Sequence, residues 1–497
     1  MLRSVVTAGA LAAALFAAAP SRADDAARPV PPPLSLEQCV AEALAKNFTV
    51  RIQAYPIDAA KAGVVIAQST YDPVLGVSWE GNATKSPDLA AVSPTTTAYP
   101  YVNSQTTSVS ATQNIVTGGQ LSAGYSVVRG VTFPVTTVFN PAYEGNISLN
   151  ISQPLLQGAG TDYARAAIQI ARYGQRLAEL NFKSVVLTLI FNVEASYYNL
   201  IFTRQQHEVA KDTLVLAQQL LDENNIKRKT GVLTDLDVVQ AEAQVATARS
   251  QLIGYRQSME NAEDVLLQAM GEREFRDGVG PVSFPALPDT AGVSFFESYK
   301  LARDNGPSLA IVQATIDEYK LDALRARRNN LPQLTLTGGG GYNTLKGTYD
   351  NAATNAVNGP GYNWQAGLAL TFPWGQRSNK ALYRQALDNV EAEQATLDQT
   401  DQGLMVQVRA AVRAVEANVE AVAAAGQASV LSQKQYELQK ARFDAGLSTS
   451  YDVVLAQNQL ENTRISELQA RVNLRSSIAD LRMLEGSSLE EYRVNLK

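Results

Sequence analysis

The chain has 497 residues, with 42 basic and 48 acidic side chains, one histidine and one cysteine, and a formal net charge of −6. This acidic balance argues against nucleic acid as a partner, because phosphate binding draws on clustered lysine and arginine. One histidine and one cysteine also argue against zinc catalysis and histidine-based nucleophilic catalysis. We therefore expect no cofactor and no catalytic centre.

Residues 1–23 are typical of a secretory signal peptide. Arg3 gives the positive start, residues 5–19 form an apolar run, and Ser21-Arg22-Ala23 places small residues before the cleavage point. An N-terminal anchor helix is the alternative, but the apolar run is short for a membrane span. Residues 24–33 follow as a proline-rich segment that cannot form a helix.

The first repeat begins with residues 34–69, which read as a helix interrupted near Asn47 and containing Pro56. Cys39 lies away from the cleavage point, so we expect a small buried helix residue rather than a lipid anchor. From residue 73 to 157 the chain is rich in Gly, Ser, Thr, Asn and Tyr, and apolar residues alternate with polar ones. This alternation predicts strands with one apolar face, in a membrane wall or in a soluble antiparallel sheet.

A long helix is predicted from about residue 162 to 225, since this stretch contains no proline and only one glycine, Gly174. It would be roughly 95 Å long at 1.5 Å per residue. Its apolar residues recur every seven positions, which favours knobs-into-holes packing. His207 falls at one of these positions and Val422 is its second-copy counterpart, so we expect a packed or channel-facing histidine. No later stretch approaches 18 uninterrupted apolar residues, so no transmembrane helix is expected.

Two turns between helices have matching chemistry. The turns at residues 229–234 and 444–449 each place a glycine, Gly231 or Gly446, where a helix ends in the left-handed conformation. A capping-box pattern then starts the next helix, with Thr234 and Asp237 in one turn and Thr449 and Asp452 in the other. The sequence therefore predicts two sharp helical hairpins.

The hairpins belong to a duplicated chain. Residues 34–271 and 293–486 repeat the same order of elements at an offset of 259 and, further along, of 215. The second copy has a strand region at 332–373 and helices at about 379–443 and 449–484. Residues 272–292 would be a linker and 487–497 a C-terminal tail. A period above 200 residues indicates two fused halves rather than a solenoid.

The strands need partners that a single chain does not supply. Four to six strands do not close a membrane barrel, which begins at about eight, and an open sheet leaves edges unpaired. Three chains with two hairpins each would share 12 strands and pool their helices into a tube. The expected fold is mainly α with a membrane β-barrel portion: long antiparallel coiled-coil helices and β-hairpins, internally duplicated and trimeric. For the extra hairpin at about residues 108–128 we expect an extracellular loop; the alternative is a wall of 18 strands.

The motifs resemble those of the TolC-like outer-membrane efflux proteins over about residues 34–486. Residues 34–37 with 43–47 resemble the family's opening helix. Residues 152–160 and 372–375 resemble its passages between strand and helix. Residues 231–249 and 446–464 resemble the tip turn and the helix after it. No single motif is specific, but their order and duplication are.

The resemblance implies a homotrimeric outer-membrane channel, embedded in outer-membrane lipid, with a periplasmic helical tunnel. Such channels receive cargo from an inner-membrane transporter through a periplasmic adaptor (membrane fusion) protein. The tips that would contact the adaptor comprise Gly231, Val232, Leu233, Thr234, Gly446, Leu447, Ser448 and Thr449. Leu233 departs from the Ser or Thr of the family pattern, so the two tips need not contact the adaptor equally.

The resemblance also implies a constricted periplasmic entrance. Asp237 and Asp452 match its carboxylates, and Tyr451, Lys229 and Arg442 are the candidate partners. Helix capping is the alternative role of both aspartates, and it is compatible with gating. Leu455 occupies the position of a second acid in some members.

The resulting hypothesis is a non-enzymatic exit duct of a tripartite efflux pump or type I secretion system. The alternatives are a soluble periplasmic coiled-coil adaptor or scaffold, and an exported enzyme. The transported substance is not legible in the sequence.

Overall fold

The structure is a computed structural model that describes residues 33–85, 101–133, 135, 138–273, 279–286 and 293–494. The predicted signal peptide and all but the last residue of the proline-rich segment lie outside these residues. The first half of the chain contains α1 (Leu36–Lys46), α2 (Phe48–Gln68), β1 (Val74–Lys85), β2 (Tyr101–Asn114), β3 (Gln120–Phe133), β4 (Ala142–Pro154), α3 (Thr161–Lys229) and α4 (Asp235–Met270). The second half contains α5 (Phe295–Asn305), α6 (Pro307–Asn329), β5 (Gln333–Lys346), α7 (Tyr349–Asn355), β6 (Gly361–Thr371), α8 (Arg377–Asp444), α9 (Ser450–Glu485) and α10 (Ser488–Glu491).

The two halves repeat each other in the predicted register. Helix α5 begins and ends 259 residues after α1, and α9 begins and ends 215 residues after α4. Asn47 separates α1 from α2, where its side chain accepts a hydrogen bond from the Thr49 amide at 2.8 Å. Pro56 lies inside α2. Helix α7 was not predicted and has no first-half counterpart.

Helices α3 and α8 run the length of the helical part, at 69 and 68 residues, or about 100 Å each. The shorter helices pack beside them in two tiers. Toward the strands, the contacts give the order α2–α3–α6–α8; toward the helical hairpins, they give the order α4–α3–α9–α8. Each tier is therefore a four-helix layer with α8 at one edge.

A belt of short elements surrounds the layers at mid-length. Residues of α1, α3 and α4 form the largest core cluster, which includes Cys39 at 0 % exposure. Burial, aided by the nearby Glu42 carboxylate, raises the pKa of the Cys39 thiol to about 12, so the predicted inert buried cysteine is confirmed. Within the described residues, one stretch of α3 is long and apolar enough to cross a membrane, but 56 % of it is buried inside the structure. That stretch belongs to a helix that passes through the protein's own core.

Arginines hold the linker and the tail against this belt. Arg204 pairs with Glu263 and donates to the carbonyls of Val279 and Gly280 at 2.6 and 2.7 Å, and Arg475 donates to the Pro285 carbonyl at 2.8 Å. Tyr492, just after α10, donates to Glu194 at 2.5 Å. His207 is largely covered on α3 and lies 3.7 Å from Glu208.

The strands form one antiparallel sheet in the order β1-β2-β3-β4-β5-β6. The hairpin around Gly118 exists as predicted, but its expected place as an extracellular loop is wrong. Strands β2 and β3 pair with their neighbours along nearly their full length, between β1 and β4. The preference for a loop assumed that the two halves contribute equally; the first half supplies four strands and the second two. The expected two hairpins per chain are therefore three.

The two faces of the sheet differ in chemistry across all six strands. One aligned row on the apolar face consists of Val77, Val109, Tyr125, Ile147, Tyr342 and Tyr362. The adjacent row on the other face consists of Ser78, Ser108, Ser126, Asn146, Asn343 and Gly361. Because side chains alternate along a strand, each of these rows stays on its own side. Helix α7 lies on the apolar face beside the β6 start, where Tyr125 donates to the Ala353 carbonyl at 2.9 Å.

The β2–β3 turn is built into the junction between strands and helices. Gly118 has φ +89°, and a Cβ there would lie 2.2 Å from the Gly158 carbonyl oxygen. The Gly160 amide donates to the Thr117 carbonyl at 3.1 Å, and Gln153 bonds both the side chain and the carbonyl of Thr117. The turn therefore packs against the residues that lead into α3.

We expect G118A to lower the midpoint of thermal unfolding far more than G375A, as measured by circular dichroism. Gly375 has the same φ of +89° but open space around its Cβ position, so it isolates the conformational cost. That cost is about 1–3 kcal/mol for either residue. Only G118A adds the clash with Gly158. Equal midpoints for the two variants would show that the junction tolerates a shifted turn.

Candidate periplasmic entrance

Both helical hairpins turn through the same backbone geometry. After α3, the amides of Gly231 and Val232 donate to the carbonyls of Arg228 and Lys227, both at 2.9 Å. After α8, the amides of Gly446 and Leu447 make the equivalent bonds at 3.1 and 2.8 Å. Gly231 and Gly446 have φ of +77° and +74°, the conformation that glycine accepts without steric cost. Two Schellman motifs therefore close the hairpins, as the glycines predicted.

A complete capping box begins each following helix. The Asp237 carboxylate accepts hydrogen bonds from the amide and hydroxyl of Thr234, at 2.9 and 2.6 Å. Asp452 accepts the same two bonds from Thr449, at 3.1 and 2.7 Å, and a third from the Ser448 hydroxyl at 3.0 Å. The hydrogen bonds from Thr449, followed by that from Ser448, hold the pKa of Asp452 below its usual value. The capping role of both aspartates is therefore seen directly.

The two hairpins are joined to each other near their tips. Asn224 of α3 has 0 % exposure, and its amide donates to the Ser450 hydroxyl at 2.6 Å and to the Asp237 carbonyl at 3.1 Å. It thus ties the end of α3 to the starts of both α4 and α9. Leu220, Phe443 and Val453 form a small core cluster beside it.

Two lysines cross between α3 and α8 at the same level. Lys440 bonds Glu223 across the junction at 2.5 Å and Asp444 on its own helix at 2.9 Å. Lys227 crosses in the other direction: its ammonium donates to the Phe443 carbonyl at 3.2 Å and lies 3.6 Å above the Phe443 ring. Burial alone would lower the pKa of Lys440, but its bonds to Glu223 and Asp444 outweigh burial and raise it. Both lysines therefore stay charged and hold the hairpins together.

The predicted partners of the aspartates are placed differently from this cluster. Lys229 and Arg442 are exposed, and Tyr451 is 58 % exposed. Arg442 acts on Asp452 only as a nearby charge. The lysines that bridge the hairpins are Lys227 and Lys440. Sequence reasoning missed both, together with Glu223 and Asn224, because the pairing of α3 with α8 and α9 is a tertiary contact. The only available signal was their clustering within seven residues of the tip glycines.

The apex of each turn presents an apolar side chain to solvent. Val232 is 67 % exposed and Leu447 is 71 % exposed, and Leu236 is 65 % exposed just after the first turn. Leu233 instead packs against the small core cluster of Leu220, Phe443 and Val453. The unusual residue of the first tip therefore has a packing role.

A sheet with one apolar and one polar face, continuous with a layer of helices about 100 Å long, defines a channel-tunnel protein of the outer membrane. The chain belongs to the outer membrane efflux protein family, whose pattern matches residues 126–272 and 298–487. It is an outer-membrane efflux channel of the kind used in tripartite efflux or secretion systems. This membership does not support the soluble-adaptor alternative.

Several relatives share most of their length with the chain. It is 24 % identical to the outer membrane protein TolC of Vibrio cholerae over 373 residues, which cover 75 % of this chain and 82 % of that protein. It is 25 % identical to toxin and drug export protein A of Aggregatibacter actinomycetemcomitans, covering 66 % and 69 %. The crystal structure of the Campylobacter jejuni CmeC outer membrane channel superimposes with a TM-score of 0.65 at 17 % identity, covering 93 % of this chain and 90 % of that chain.

Proposed function

We propose that three copies of this chain form one channel, with an 18-stranded wall in the outer membrane and a periplasmic tube of helices. The edges of the single chain carry this proposal. Strands β1 and β6 form the two ends of the sheet, and an even number of strands makes β6 of one copy antiparallel to β1 of the next. The join then continues the same alternation around a closed ring.

The same two edges continue through the helical part. Helices α2 and α4 form the edge that carries β1, and α8 forms the edge that carries β6. Apolar side chains are exposed along both edges: on one side Phe48, Ile52, Val65, Val239 and Ile253, and on the other Leu382, Leu387, Val406, Val430 and Leu438. Such residues at helical spacing need burial, and the neighbouring copy supplies it.

The apolar face of the sheet would contact lipid and the polar face would line the aqueous exit. Membrane barrels of this kind alternate apolar residues outward and polar residues inward. The tips would contact a periplasmic adaptor that links the channel to an inner-membrane transporter. The exposed Val232 and Leu447 support this contact, because they project from the ends of the tube farthest from the sheet.

The test of the assembly is the oligomeric state in detergent after extraction from outer membranes. A trimer measured by light scattering is expected. Exposed-edge variants I253E and L438E should dissociate it, whereas E260Q, an exposed position on α4, should not. A folded monomer of the unaltered protein in water would overturn the proposal.

Asp237 and Asp452 are proposed to narrow the entrance as well as to cap their helices. Asn keeps a capping oxygen without the charge, so D237N with D452N separates the two roles. If their charges constrict the entrance, the double variant should raise single-channel conductance in planar bilayers, and alanine at both positions should raise it too. Asp235, 87 % exposed on the side chain and paired with Arg228, provides the control D235N. A rise in the alanine variant alone would assign both residues to capping.

A further inference from the structure

We propose that the β2–β3 hairpin widens the outer-membrane exit to the full bore of the helical tube, so that the channel passes bulky hydrophilic cargo of the size of a compact polypeptide. This inference rests on the proposed trimer. The first support is the connectivity. Strands β1, β4, β5 and β6 each join a helix directly or through a short passage, whereas β2 and β3 join only strands. The hairpin therefore adds wall without adding a helix to the tube.

The second support is the fit of the hairpin to the wall on both faces. On the apolar face it contributes Val109, Ala111, Leu121, Ala123 and Tyr125, in register with Leu75, Val77, Ile147, Leu149 and Ile151. On the polar face it contributes Ser104, Thr106, Ser108, Ser110, Ser122 and Ser126. A loop folded over the mouth would have no reason to match a membrane wall row by row.

The third support is the anchored turn. Asn114 donates to the Thr70 carbonyl at 2.9 Å, and the turn bonds Gln153 and Gly160 on the opposite side. The hairpin thus reaches the same junction at which the other strands meet their helices. The part of the chain that matches the family begins at residue 126, so β2 and this turn lie outside the match.

The dimensions show what the addition achieves. At the junction each chain supplies α2, α3, α6 and α8, so three chains supply 12 helices. Helices about 9–10 Å apart place these 12 axes on a circle about 36 Å across. Strands 4.8 Å apart with a tilt of about 40° enclose about 36 Å when there are 18 and about 24 Å when there are 12. Only the larger wall matches the tube.

The lining of the wall agrees with bulky cargo. Across the described strands the polar face carries mostly Gly, Ser, Thr and Asn, which project little into the lumen. Short uncharged side chains leave the space within a large barrel to water, as in barrels of 16–18 strands. The exit would therefore select weakly by chemistry and mainly by size.

The test uses the full chain and a variant that lacks residues 101–133. Strands β1 and β4 are antiparallel, so they can pair after the deletion as β5 and β6 do, with residues 86–100 and 134–141 as their loop. Neutral polyethylene glycols of graded size, added to the outer side of the channel in a planar bilayer, report the exit diameter. The largest polymer that enters should shrink by about one third in the deletion variant.

An electron cryomicroscopy reconstruction of the unaltered trimer decides the matter independently of whether the deletion variant folds. Eighteen strands in the wall would support the inference. A trimer with a 12-stranded wall and residues 101–133 outside it would overturn the inference and leave the proposed function standing. Absence of any trimer would overturn the proposed function itself. An equal polymer limit for a folded deletion variant would also overturn the widening.

Discussion

K440M is expected to raise the probability that the channel entrance is open. Opening must separate the α3–α4 hairpin from the α8–α9 hairpin, and Lys440 joins them through Glu223. Methionine keeps the aliphatic stem packed near Phe443 but removes the charge. A largely covered ion pair of this kind contributes about 1 kcal/mol, or about fivefold in the ratio of open to closed. In a trimer three such pairs act together, so the combined effect could reach about a hundredfold.

Single-channel recording in planar bilayers measures this change as open probability. E223Q should give a similar increase, and K440M with E223Q should add little to either, since both remove the same pair. The control is K434M, which removes an exposed lysine from the same helix two turns away. A double variant with the full sum of both effects would show that the two residues act separately.

E80Q with E144Q is expected to reduce the cation preference of the exit. Glu80 and Glu144 lie on the polar face in one row, because Glu80 pairs with Thr106, Thr106 with Val128 and Val128 with Glu144. Among the described strand residues they are the only charged side chains on that face. Three copies would place six carboxylates around the outer mouth. Removing about one kT of negative potential lowers the cation-to-anion permeability ratio about threefold at low salt.

The reversal potential in a potassium chloride gradient measures this ratio. R129Q is the matched control, because Arg129 lies next to Val128 in the sequence but on the apolar face. It should leave the reversal potential unchanged if that face contacts lipid. A shift in R129Q without one in the glutamate variant would mean that the assignment of the two faces is reversed.

The sequence by itself determined the parts of this protein that depend on local periodicity and on turn chemistry. The spacing of apolar residues marked the long helices to within about four residues at their ends. Gly231, Gly446 and the capping threonines marked the hairpin turns, because Schellman motifs and capping boxes need particular residues at particular positions. The duplicated order of motifs, with its resemblance to a known family, gave the class of protein.

Only the tertiary structure decided where the extra hairpin lies and how the hairpins are joined. Alternating residues around Gly118 are equally compatible with a loop and with a wall strand, since alternation reports two faces and says nothing about neighbours. The pairing of β2 with β1 and of β3 with β4 settled it. Likewise Lys440 and Glu223 are 217 residues apart, and nothing local connects them. Contacts between distant segments depend on how whole helices and strands pack, which no short stretch of sequence encodes.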